Sequence, residues 1–439
     1  MSRNYLAEYD AAAEADKYPL VQKWMKTEPL PFFKQLREER PILVTPECTL
    51  VALFTDVRDA LQMPKIFTVD LYKPMMGVTN ENDGYLMAHD DNALHYREKS
   101  IMQGLLNRDD IPRVRKLIKD SSQTILNNAN GTIEIVNEYC RHVPAILVQK
   151  YFGLEGVAIE KLLKWSVANQ HNVFHNQPFD LNSLEKMAEI QAAHDESSKE
   201  LVAYIAKLMV KKTITVKLGD WLSLPIRVLK TVFRMNPKES RDTMVERMLR
   251  TSFAKEVDFN LVRVGTNAGG LLIGAIETTS QAVAQVIQYF IERPELLAQA
   301  KAASAKDDVS DIDGMVWEAL RYVPISPYMF RQMSEDYTLA KGTDHETTIK
   351  KGTNVLTLTQ SAMFDPYAFE NPDEFNPKRN WYHHFNYGFA SHECLGKYIG
   401  MAMIPEMVRQ VLLMDDLKAA SAMDYKEGSF PEDYQLQWG

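Results

Sequence analysis

Cys394 lies in the run Tyr387-Gly388-Phe389-Ala390-Ser391-His392-Glu393-Cys394-Leu395-Gly396, whose residue types suit a loop that presents a thiolate to a metal centre. A thiolate must have its charge stabilised, and a cysteine that opens a helix obtains this from free backbone N–H groups and the positive helix end. The following segment predicts such a helix, because Tyr398, Ile399, Met403, Ile404, Met407, Val408 and Val411 recur at helical spacing. Gly388 permits a sharp turn before the cysteine, and Gly396 lets backbone approach a flat ligand. Taken alone, a single cysteine reads as a small buried hydrophobe, so its meaning depends on the rest of the chain.

Three further sets matter. Gly274-Ala275-Ile276-Glu277-Thr278-Thr279 lies in an apolar helical run from about Val264 to Ile287. Its small residues would let a helix pass close over a flat group, although Gly270 and Gly274, four apart, also suit a close helix–helix contact. Glu277 in mid-run argues against a membrane span. Glu318 and Arg321, three apart, share one helix face, a spacing common in surface ion pairs, and Phe375-Asn376-Pro377-Lys378-Arg379 follows with a further arginine. His95 and Lys99, four apart on a predicted helix, join Arg331 and His392 as cationic donors suited to carboxylates.

In this order the motifs resemble those of the cytochrome P450 family. Its haem-binding signature has an aromatic residue seven positions before the cysteine, a basic residue two before and a glycine two after, here Tyr387, His392 and Gly396. Tyr387 stands where the family usually has Phe, and Ala390 where it usually has Gly. A phenol beside the thiolate would donate a hydrogen bond and withdraw electron density.

The resemblance implies a mainly α fold with small β-sheets, a single cytochrome P450-like domain over residues 1–439. It implies haem b with Cys394 on the iron, Gly396 beside it, and His95, Lys99, Arg331 and His392 as propionate partners, Lys99 replacing the usual Arg. Glu277 and Thr278 resemble the family's acid–alcohol pair, which hands protons to the reacting oxygen. Glu318, Arg321 and Arg379 resemble a structural network that pins the cysteine loop.

The implied activity is that of a soluble, bacterial-type monooxygenase inserting one atom of O2 into a small or medium lipophilic substrate. Electrons would come from a separate ferredoxin- or flavodoxin-type protein. Expected pocket walls are Asn267, Gly270 and Leu271, the stretch Ile325 to Phe330, and the region from about Asp70 to His89. The alternatives are a peroxygenase, a P450-fold isomerase of fatty hydroperoxides and, from another class, a haem-based sensor or binding protein.

The chain has 439 residues, 45% apolar and 25% charged, with a formal net charge of −9, which argues against nucleic acid as a main partner. Its three cysteines are too few and scattered for a disulfide framework or zinc cluster, and the first residues carry no apolar signal core. A cytoplasmic enzyme with no membrane anchor is expected. Dinucleotide and Walker-type glycine loops are missing, and His171 and His175 lack the carboxylate motif of a zinc site.

The elements that must position these residues are legible in outline. Proline and glycine punctuate the first hundred residues and the stretch from about 323 to 394, and long helical patterns fill the middle. The runs Ile42 to Thr45 and Leu50 to Phe54 predict a small sheet. The basic segment from Lys207 to Lys255, with Leu222, Leu224, Ile226, Val228, Leu229, Val232 and Phe233 interleaved, reads as a solvated amphipathic helix pair, or as a lid facing a lipophilic substrate or a membrane surface. Arg97, Arg113, Arg115, Lys116 and Lys397 are an expected docking face for an acidic redox protein.

Overall fold

The computed structural model describes residues 3–232, 242–254, 256–426, 428 and 430–439, and only the backbone of 223–232. Helices dominate and the sheets are small, as the helical patterning predicts. Near the N-terminus α1 (Tyr5–Ala11), α2 (Glu14–Thr27) and α3 (Pro29–Glu39) turn their apolar faces together. The rings of Tyr5, Trp24 and Phe32 meet with centroids 5.2–5.7 Å apart, and Leu50, Leu356 and Leu358 close this small core.

Those leucines belong to or border a sheet ordered β1 (Ile42–Val44), β2 (Thr49–Val51), β8 (Asn354–Thr357), β5 (Met329–Met333), β3 (Phe67–Thr68). The predicted pair β1–β2 is antiparallel with Leu43 opposite Leu50, and β2 runs parallel to β8. Antiparallel pairing of β5 with β8 sets Arg331 opposite Val355, so the register of this strand decides where the Arg331 guanidinium points. The short helix α4 (Phe54–Gln62) packs beside this sheet, and β6 (Tyr337–Leu339) pairs with β7 (Thr347–Ile349). The strand β4 (Thr132–Glu134) pairs with β10 (Gln435–Gln437), which also takes β9 (Lys418–Ala419).

The helical body contains α5 (Ala93–Leu105), α6 (Ile111–Asn128), α7 (His142–Leu147), α8 (Ile159–His175), α9 (Leu184–Val232), α10 (Met244–Ser252), α11 (Leu261–Ala275), α12 (Glu277–Ile291), α13 (Pro294–Ser304), α14 (Ser310–Tyr322), α15 (Thr359–Ala362) and α16 (Lys397–Leu412). Helix α16 packs against α6, α12, α13 and α14. The apolar spacing read after Cys394 becomes its buried face: Ile399, Met403, Ile404, Met407, Val408 and Val411 are all enclosed, each contributing about 1.5–3 kcal/mol of burial. This anchors the helix whose first turn follows Cys394.

One predicted element differs. The apolar run from Val264 to Ile287 is two helices, broken at Ile276 (φ −88°, ψ −65°). The carbonyls left over at the break find side-chain donors: the Gln170 amide reaches Ile273 O at 2.6 Å and the Thr278 hydroxyl reaches Gly274 O at 2.7 Å, so the kink leaves no orphaned carbonyl at either position. The helix pair expected between Lys207 and Lys255 is present as the second half of α9, which runs to Val232, and α10, joined by the ion pairs Lys212–Glu246 and Asp220–Arg250. The side chains of Leu224, Ile226, Val228, Leu229 and Val232, and all of Phe233, lie outside the described residues.

Candidate functional site

The Cys394 loop is shaped by its backbone. Gly388 adopts φ +76°, and a Cβ there would stand 3.1 Å from His392 O. Ala390 turns left-handed at φ +55° without glycine's freedom, at a cost of about 1 kcal/mol or more. The Cys394 amide closes the loop onto Tyr387 O at 2.8 Å.

The Cys394 thiol is reachable by solvent although protein atoms enclose it, so it lines an interior hollow and not the outer surface. Burial pushes the thiol upward, against the lowering effects of the Gly396 amide and of Lys99 and Lys397. The Gly396 amide that lowers it belongs to the N-cap of α16, so the helix end acts on the sulfur in the expected sense, and a cationic centre bound at sulfur would favour the thiolate further.

Across the fold, Gly274 is exposed after the buried or half-buried stretch 263–273 of α11, and a Cβ there would meet nothing within 4 Å. Thr278 stays at the break. Glu277 does not: its carboxylate is fully buried and held by Arg141 at 2.8 and 2.9 Å, and Arg141 also binds Glu432 at 2.9 Å. Burial pushes Glu277 upward, and Arg141 opposes this. The two members of the expected acid–alcohol pair thus leave the helix in different directions, because consecutive helical residues point about 100° apart.

The expected pocket wall also changes. Asn267 is buried and donates to Glu98 Oε2 at 2.8 Å, where Glu98 pairs with Arg263. That network ties α5 to α11 and removes Asn267 from any pocket. Gly270 serves a close approach: a Cβ there would lie 2.1 Å from the Tyr85 ring. Leu271 packs into the core.

The cationic set converges. Around His95 the ring nitrogens lie 3.0 Å from Leu86 O and Ser391 O, and the Lys99 amine shares Ser391 O. The His95 and His392 rings are 5.2 Å apart. Arg331 donates to Phe330 O at 2.8 Å, but its buried Nε has no partner among the described residues. Burial pushes Arg331 and Lys99 down and His392 well down.

Sequence reasoning missed Asp90, whose Oδ1 lies 3.0 Å from His392 Nε2 and which no spacing signalled. Burial pushes Asp90 up to about 6. Burial also favours the neutral form of His392.

Glu318, Arg321 and Arg379 meet. Glu318 Oε1 lies 2.7 Å from Arg321 Nη2 and 3.1 Å from Arg379 Nε, and it accepts the Asn376 amide at 3.0 Å. Arg321 is fully buried. The arginines also donate to the carbonyls of Glu370, Asn371, Pro372 and Glu374, which braces the chain leading to the Cys394 loop.

The expected docking face is not a patch of free cations. Arg97 pairs with Asp258, Lys116 with Asp120 and Lys397 with Glu393, Arg115 turns inward to Asp313 and Glu406, and Arg113 lies over the Tyr151 ring. His171 and His175 face Phe430, at 4.8 and 4.5 Å between ring centroids. Among the described residues, no group of three or more His, Cys, Asp or Glu is arranged to hold a metal ion, and no helix is long and apolar enough to cross a membrane.

The residues fit a flat group with a cationic centre and carboxylates. A thiol lines a hollow, Gly274 keeps a helix face bare, and two buried cations have only carbonyl partners. Haem has this shape and charge, with His95, Lys99, Arg331 and His392 able to take its carboxylates.

Comparison with known proteins agrees. A family profile described as Cytochrome P450 matches residues 78–414. The chain is 23% identical over 413 residues to Cytochrome P450 109 of Bacillus spizizenii, covering 92% of this chain and 89% of the relative. It is 23% identical over 415 residues to pulcherriminic acid synthase of Bacillus subtilis, covering 90% of each. The haem domain of CYP116B5 from Acinetobacter radioresistens superposes with a TM-score of 0.75 at 17% identity, over 99% of this chain and 100% of that one.

Proposed function

The chain belongs to the cytochrome P450 family and is a haem monooxygenase, and on that premise we propose that it inserts one oxygen atom into a small or medium lipophilic substrate, with haem b on Cys394. The observation that carries the reading is the enclosed Cys394 thiol in a hollow with a bare helix face at Gly274. When bound, the haem supplies reductive activation of O2.

The chain's own residues orient and protect. His95, Lys99, Arg331 and His392 would hold the two carboxylates. The Gly396 amide donates toward the Cys394 sulfur, which tunes its electron donation. Gly274 leaves room beside the helix break, where the Thr278 hydroxyl can pass a proton after releasing Gly274 O. Glu277, Arg141 and the partly exposed Glu432 form a chain of polar groups from the break toward the surface.

A lipophilic substrate is supported by Tyr72, Phe174 and Phe330, whose rings converge at 4.5–6.4 Å beside Arg331. Tyr72 and Phe330 come from two of the expected walls. Electrons come in this reading from a separate ferredoxin- or flavodoxin-type protein in the cytoplasm.

The test is the ferrous–CO difference spectrum of haem-loaded protein against Cys394→Ala. The red-shifted Soret band of thiolate ligation, lost in the variant, is the expected result; a band of neutral-ligand type in folded wild-type protein would sink the proposal. Product formed with peroxide and no reductant would move the reading to a peroxygenase.

A further inference from the structure

Helix α9 is apolar on two opposite faces, and among the described residues only one is covered. On the covered face, Ile205 and Met209 pack onto α11 at Gly265, where a Cβ would lie 3.0 and 3.7 Å from them. Further along, Lys212 pairs with Glu246 and Asp220 with Arg250, both on α10, and Val216 is buried.

At 100° per residue, Val210, Ile214, Leu218, Trp221 and Leu222 fall within about a third of the circumference, opposite that packed face. They are 54–70% exposed. The stripe runs about 18 Å along the axis. A helix packed on one side of a globular protein ordinarily carries polar residues on the other, and a contiguous apolar patch of this kind marks an interaction site.

Charge identifies what the stripe meets. The chain as a whole carries −9, yet from Leu201 to Gly219 it has no Asp or Glu and contains Lys207, Lys211, Lys212 and Lys217. Lys207 and Lys211 are exposed and lie on the same third of the circumference as the stripe, one turn before Val210 and Ile214. Lys217 is also exposed and leans over Phe253 at 5.0 Å. The matching surface is therefore apolar, anionic and extended.

We propose that this face of α9 docks on the surface of a bilayer containing anionic phospholipid. The aliphatic side chains and Trp221 enter the interface while Lys207 and Lys211 meet the headgroup phosphates. Attachment is peripheral, since no described helix can span a membrane. Pairing of two copies through the same stripe would oppose lysine to lysine, which disfavours a second copy as the occupant.

The experiment is co-sedimentation of haem-loaded protein with sucrose-loaded vesicles of phosphatidylcholine alone or mixed with phosphatidylglycerol. The protein is expected to sediment with the mixed vesicles only, less so as salt rises, with a blue shift of Trp221 fluorescence that Trp221→Ser removes. Ile214→Ser/Leu218→Ser/Trp221→Ser should abolish binding. Lys207→Gln/Lys211→Gln should weaken it by tenfold or more, at about fivefold per lysine, and Val44→Ser, at an exposed apolar site elsewhere, should leave it unchanged. If the triple variant fails to load haem, the lysine variant carries the test. No binding to mixed vesicles, or binding that survives both variants, overturns the proposal. So does mass in sedimentation velocity that rises with protein concentration and falls in the triple variant without vesicle binding, which would assign the face to a second copy.

Discussion

Gly400 makes room for the Tyr387 hydroxyl: a Cβ at position 400 would lie 2.5 Å from that oxygen and 3.1 Å from the ring. The phenol that replaces the family's usual Phe is thus matched, on the first turn of α16, by a residue without a side chain. Its hydroxyl is buried with no partner among the described residues, and it lies against α16, with Trp317 5.6 Å away between centroids.

Gly400→Ala should therefore destabilise the wild type by about 1–3 kcal/mol through overpacking. In a Tyr387→Phe background the penalty should shrink without vanishing, since the ring carbons stay 3.1 Å from the added Cβ, and Tyr387→Phe alone should be neutral or stabilising because it removes an unsatisfied buried group. Urea midpoints of the four proteins measure this. Equal penalties in both backgrounds would show that the hydroxyl is not the obstacle.

Removing Glu318 strands a buried guanidinium. Glu318→Ala is expected to cost about 3–5 kcal/mol and to raise the rate of haem loss, since the carbonyls bound by Arg321 and Arg379 belong to the chain that leads to the Cys394 loop. Thermal unfolding and haem transfer to apomyoglobin are the readouts. Normal melting with altered substrate selectivity would contradict the bracing role.

Glu277→Gln keeps the shape and removes a charge that Arg141 needs. A loss of about 1–3 kcal/mol is expected, partly relieved by the remaining Glu432 contact. If Glu277→Gln melts like the wild type while turnover falls and its pH profile shifts, the residue acts chemically and its ion pair is incidental.

Burial pushes the Asp180 carboxyl up to about 7 from 3.8, against the Gln177 amide that donates to it. The folded protein holds that proton more tightly than the unfolded chain. Stability from this group is therefore complete below the unfolded value and is lost as pH rises toward about 7, at no more than about 1.4 kcal/mol per unit. Asp180→Asn can keep the bond to Gln177 and should flatten the decline. Melting midpoints from about pH 4 to about pH 8 test this, and parallel curves for the two proteins would refute it.

What the sequence by itself determined is the part carried by local spacing and residue type. The family resemblance rests on Cys394 and its flanking residues, the buried face of α16 on apolar periodicity, and the pairing of Glu318 with Arg321 on a three-residue interval. These are short-range features, and helix geometry translates them directly. The split of Glu277 from Thr278 was decided only by tertiary structure, because Arg141 reaches Glu277 from 136 residues away. The same holds for Asp90 on His392, for Tyr85 over Gly270, and for the uncovered face of α9. Each depends on which distant surface arrives beside a side chain, and periodicity within one element carries no information about that.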